Sequence, residues 1–104
     1  MSVVELAEDL SPVLTTGKKT IGGTAVQLFP NGLKTVKGVQ FKASSGNGDT
    51  IYIGGHPSVT AGTDDDWDGM FIDASEGLFV PCKDASKLYA IAGAAAQVLY
   101  WMAV

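Results

Sequence analysis

Four aspartates crowd the segment Asp64-Asp65-Asp66-Trp67-Asp68-Gly69. Asp64, Asp66 and Asp68 followed by Gly69 match the opening of a calcium loop, where alternate carboxylates converge on a hard cation and glycine permits the sharp bend. The second half departs from that pattern. Ser75 occupies the twelfth position, Glu76 arrives one residue late, and no helical periodicity flanks the segment. An incomplete loop of this kind can hold calcium weakly. The simpler reading is a solvated acidic loop with Trp67 folded over the edge of the core, and it is preferred.

The other chemistry-bearing residues are isolated. His56 is the only histidine and Cys82 the only cysteine. A nucleophile needs an adjoining base and a group that orients the base, and no nucleophile motif surrounds Cys82 or any serine. His56 lies in the turn Gly54-Gly55-His56-Pro57 and reads as a loop residue. One histidine and one cysteine are too few for a zinc centre. Gly17-Lys18-Lys19-Thr20 resembles the end of a phosphate loop, but Pro12 stands where the first glycine is required. Asp73 and Glu76 are a carboxylate pair whose separation the sequence does not define. No catalytic residue, cofactor site or metal site is assigned.

Composition narrows the partners. The 104 residues carry a net charge of −4, and the seven basic residues are all lysines: Lys18, Lys19, Lys34, Lys37, Lys42, Lys83 and Lys87. Scattered lysines without a guanidinium fork do not suit bidentate reading of phosphates or guanines, so a nucleic-acid role is not expected. The lone Cys82 excludes an internal disulfide framework and fits assembly in a reducing cytoplasm, as a buried thiol behind Pro81. Residues 1–9 have neither a basic start nor a long apolar core, so they do not read as a secretory signal. The uncharged stretch from Leu88 to Val104 is near the lower length limit of a membrane span. Gly93 and Gln97 interrupt it, no basic residue follows, and two strands joined by Ala94-Ala95-Ala96 account for the same letters better.

The elements that position these residues are strands. Thirteen glycines and four prolines in a chain of this length imply frequent turns around one core. Thr24, Val26 and Leu28 alternate with Ala25, Gln27 and Phe29 before Pro30-Asn31-Gly32 ends the run. Val39, Phe41 and Ala43 share one face of the clearest strand, with Gln40, Lys42 and Ser44 on the other. Ile51 and Ile53 should point inward, Met70-Phe71-Ile72 make a short strand, and the segment 58–69 is the longest loop. Leu78, Val80 and Cys82 alternate with Phe79 and Pro81, and the proline places that strand at an edge or near its own end. Val98, Tyr100, Met102 and Val104 alternate with Leu99, Trp101 and Ala103, so both faces of the last strand are apolar. In a domain this small, a neighbouring subunit is the natural second cover. Tyr100, Trp101, Met102 and Val104 are therefore the expected interface residues, and the default role of Tyr52 and Tyr89 is half-buried sheet packing.

Five segments together resemble a pattern found in small virion proteins of tailed bacteriophages. They are Phe41-Lys42-Ala43, Thr50-Ile51-Tyr52-Ile53-Gly54-Gly55, Ser58-Val59-Thr60, Glu76-Gly77-Leu78-Phe79-Val80 and Asp84-Ala85-Ser86-Lys87-Leu88-Tyr89-Ala90-Ile91. The acidic insertion Asp64–Asp68 departs from that pattern. The resemblance implies a structural subunit, most often a head decoration (cement) protein of the capsid, and carries over no catalytic residue.

The sequence thus leads to an all-β chain, a small antiparallel β-sandwich or jelly-roll-like barrel over residues 23–104, with an extended N-terminal arm over residues 1–22. The implied partners are the major capsid protein and further copies of the chain, with no nucleic acid and no membrane. The implied location is the capsid surface of a virion, after synthesis in the host bacterial cytoplasm. The alternatives are a tail or connector component and a host-surface glycan-binding module built around Trp67.

Overall fold

The computed structural model describes residues 15–63 and 66–104, which form eight strands and one turn of 3-10 helix. In chain order the strands are β1 (Thr16–Ile21), β2 (Val26–Gln27), β3 (Gly38–Ala43), β4 (Ile51–Gly54), β5 (Met70–Ile72), β6 (Gly77–Pro81), β7 (Tyr89–Ala92) and β8 (Gln97–Ala103). The helical turn, Ala85–Lys87, lies between β6 and β7.

Pairing is nested. β1 pairs with β8, β2 with β7, β3 with β6 and β4 with β5, always antiparallel, so the chain is a long ribbon doubled back at the loop after β4. Two further pairs, β3 with β8 and β4 with β7, roll that ribbon into two four-stranded sheets. Sheet I has the order β1-β8-β3-β6 and sheet II the order β2-β7-β4-β5. Eight strands wound this way over two sheets are a jelly roll.

The alternation read from the sequence explains which residues meet inside. Val39, Phe41 and Ala43 of β3 are buried while Gln40 and Lys42 are exposed. Ile51 and Ile53 of β4 point inward from sheet II, joined by Ile72, Ala90 and Ala92. Leu99, Ala103 and Ile21 complete the sheet I side. Removing each of the large aliphatic side chains from water contributes about 1.5–3 kcal/mol before chain entropy is counted. Pro81 ends an edge strand, where its missing donor costs nothing.

Five expectations are corrected. The domain does not begin at residue 23, because β1 runs alongside β8 from Thr16↔Met102 to Ile21↔Gln97, with Ile21 fully buried. The remainder of the proposed arm, residues 1–14, lies outside the described residues. The strand expected over 24–29 shortens to Val26–Gln27, since Leu28 and Phe29 both turn into the core. Among the described residues β8 is covered on one face only. Trp67 does not fold over the core; it is 50% exposed. Cys82 is half-buried against the core rather than fully enclosed.

The stretch once open to a membrane reading is β7, a four-residue link and β8, which cross from sheet II to sheet I. Among the described residues, no helix is long and apolar enough to cross a membrane.

Candidate interaction surface

β8 lies between β1 and β3, so its outward side chains occupy the middle of sheet I. Tyr100 and Met102 are 48% and 41% exposed there. The register sets their neighbours. Lys18 and Lys42 are the cross-strand partners of Tyr100, one on each side, and Thr16 and Gln40 flank Met102 in the same way. Phe79, the partner of Gln40 on β6, extends the apolar stripe and is 42% exposed. Thr16, Lys18, Gln40, Lys42, Tyr100 and Met102 line a shallow depression of 460 Å³. Adjacent strands lie about 4.8 Å apart, so the two lysine backbones stand about 10 Å apart across Tyr100. An apolar centre with a cationic rim, on a face left open among the described residues, suits contact with another macromolecule.

The four residues expected at an interface do not share one environment. Tyr100 and Met102 face out. Trp101 faces in, in register with the buried Phe41, and its ring meets Phe29 edge-on at 5.0 Å. Its seat is Gly17, where a β-carbon would stand 2.8 Å from the indole. The indole Nε1 is buried without a hydrogen-bond partner among the described residues. Val104 is half-buried, and its carbonyl accepts from the amides of Val36, Lys37 and Gly38 at 3.1, 2.8 and 3.2 Å.

Loop chemistry centres on Asp68. Its Oδ1 accepts from Thr60 Oγ1 at 2.6 Å, from the Thr63 amide at 3.0 Å and from Thr63 Oγ1 at 3.2 Å, which holds the long loop against β5. Asp66 is exposed and Asp64 lies outside the described residues, as does Asp65. Among the described residues, no three His, Cys, Asp or Glu side chains are placed to hold a metal ion. His56 packs against Trp67 with ring centroids 4.4 Å apart and the planes tilted by 33°, and its Nδ1 accepts from the Ser58 amide at 3.0 Å. The pair borders a hollow of 370 Å³ with Asp66 and Asp68.

No family model, no curated protein and no solved structure matches the chain.

Sheet II has an exposed face of opposite character. Tyr52 and Phe71 are cross-strand partners with rings 6.5 Å apart, and Phe71 is 62% exposed. Thr50, Tyr52, Asp68, Phe71 and Asp73 line a depression of 410 Å³ beside them. Asp73 is steadied by Thr50 Oγ1, which donates to it at 2.5 Å.

Several of these residues escaped sequence reasoning. Lys18 seemed part of an exposed arm, and only the β1–β8 register sets it beside Tyr100. Asn47 lies in the turn between β3 and β4. Its side-chain amide donates to the Val98 carbonyl at 2.9 Å and its Oδ1 accepts from the Val98 amide at 2.8 Å, which ties the β3–β4 turn to β8. Asn-Gly followed by an apolar strand is the available signal, but it does not name the partner.

Proposed function

We propose that this chain is a non-enzymatic virion subunit of a tailed bacteriophage, a head decoration (cement) protein that binds major capsid protein on the outer shell and stabilises it. The observation that carries this reading is the apolar stripe of Tyr100, Met102 and Phe79 across sheet I, exposed among the described residues. A central strand with apolar side chains on its open face has an unmet need for cover. Copies of the subunit associate through that face as a homo-oligomer, and the segment 1–14 and the acidic loops meet the shell or solvent. Many modest contacts repeated over one lattice then give avidity that no single contact has.

Two further points favour the reading. The resemblance spans the block from Val39 to Val104, roughly the last two-thirds of the chain. Jelly rolls recur in viral capsid proteins, an analogy at the level of fold alone. The test is to add the purified chain to capsids that lack decoration. Binding to the shell, with a rise in the temperature at which it breaks, is expected, and Tyr100→Lys should reduce both. A chain that ignores capsids under all conditions defeats the proposal.

A second reading, a glycan-binding module, has one observation in its favour. The half-exposed Trp67 stands with His56, Asp66 and Asp68 around a hollow, and aromatic rings stack on sugar faces. Retention on a glycan array that disappears with Trp67→Ala would favour it over cementing.

A further inference from the structure

We infer that the outer face of sheet I is covered by the outer face of sheet II from a second copy, in a head-to-tail contact. This deepens the reading of the β8 face as an assembly surface, and rests on it. In that contact Lys18 and Lys42 meet the carboxylate-rimmed patch of Tyr52 and Phe71.

Charge decides the pairing. The chain is acidic overall, at −4. Yet the outward positions on β1, β8, β3 and β6 carry two ammonium groups, Lys18 and Lys42, and no carboxylate. The depression on sheet II shows the reverse, with Asp68 and Asp73 and no lysine along its lining. Each face also has an aromatic centre, Tyr100 on one and Phe71 with Tyr52 on the other. Opposite rims around apolar centres are the arrangement that aligns two surfaces and speeds their encounter.

The symmetric alternatives are disfavoured by the same charges. A two-fold contact of sheet I with sheet I sets lysines against lysines, and sheet II with sheet II sets carboxylates against carboxylates. Only the mixed contact brings unlike charges together. The two faces lie on opposite sides of the sandwich, so each copy offers one donor face and one acceptor face. Such a contact repeats from copy to copy until a ring closes or a filament runs on.

Two variants, each with one face disabled, test this by sedimentation. Lys18→Glu with Lys42→Glu alters only sheet I, and Phe71→Lys alters only sheet II. The native chain should assemble at low ionic strength and lose tenfold or more in affinity between about 50 and about 500 mM salt. Each variant alone should sediment as a single copy. Their equimolar mixture should form a one-to-one pair and grow no further, since each pair joins the one intact donor to the one intact acceptor. Lys18→Gln with Lys42→Gln, and Phe71→Ser, repeat the test if a charge reversal disturbs folding. Assembly of Phe71→Lys alone, with none by the lysine variant, overturns the head-to-tail contact and leaves the β8 face as an assembly surface. Native chains that stay single, or two variants that assemble as the native chain does, overturn both.

Discussion

Sheet I and sheet II are built to different plans. β1, β3, β6 and β8 of sheet I have 6, 6, 5 and 7 residues and run in continuous register, whereas β2, β4, β5 and β7 of sheet II have 2, 4, 3 and 4. The long strands form a frame whose inner face is the larger part of the core. The short ones serve mainly to present loops, including the longest. The contrast teaches where the molecule should tolerate change. Damage to the inner face or edges of sheet I should unfold it, and changes on either outer face should alter contacts while leaving the fold intact.

The largest effect should come from removing β1. Deleting residues 2–20, harmless if they were only an arm, strips β8 of its neighbour and opens Leu99 to water. The truncated chain should lose its cooperative urea transition, while Phe71→Ser on sheet II should leave the midpoint nearly unchanged. A folded truncation would break the contrast between the sheets.

Next is the inner face of β8 against its outer face. Trp101→Asp places a carboxylate beside Phe29 and Phe41 and should cost about 3–5 kcal/mol in denaturant unfolding. Trp101→Phe keeps an aromatic ring and removes the indole donor, which is unpaired among the described residues, so its cost should be no more than about 1 kcal/mol. Tyr100→Lys, one residue away, should stay within about 0.5 kcal/mol and act on assembly alone.

Asn47→Ala should cost about 1–3 kcal/mol, because the Val98 amide loses its acceptor and the Val98 carbonyl keeps only the Ser44 amide. Ala96→Gly should raise stability by about 0.5–1 kcal/mol, since Ala96 turns the sheet-crossing link with φ at 62° and glycine adopts that conformation freely.

Asp84 gives the smallest effect and a pH signature. Its carboxylate accepts from the Ser86 amide at 2.9 Å and caps the turn at Ala85. The Ser86 backbone hydrogen bond is the main cause that lowers its pKa, and Lys34 adds to it through its charge. A carboxyl whose folded pKa is depressed contributes stability above its unfolded value and loses it as pH falls through the folded one. Asp84→Asn should therefore narrow the difference in melting temperature between neutral and strongly acid solution. An unchanged difference would show that Asp84 takes no part in the acid sensitivity.

How much of this was legible follows from the same residues. β3 and β4 were plain because apolar and polar side chains alternate strictly across them, which only a half-buried strand requires. β1 was hidden because its inward side chains are Gly17, Lys19 and Ile21. Gly17 makes room for Trp101, and Lys19 packs by extending its ammonium over the Phe29 ring at 5.5 Å. Neither looks apolar in sequence. β2 was overextended because two consecutive residues, Leu28 and Phe29, both leave the strand for the core. The orientation of β8 was hidden for the opposite reason, since both alternating sets are apolar and periodicity cannot say which faces in. Pairing partners were never available, because register is a property of the folded ribbon. The charged rims of both outer faces therefore emerge only with the fold.

The central claim, that the outer face of β8 is an assembly surface, is tested most directly by oxidative footprinting of the native chain, free and bound in particles. Met102 and Tyr100 should lose reactivity severalfold on assembly. Equal labelling of Met102 and Tyr100 in both states would mean that the face remains in water and that assembly, if any, uses another surface.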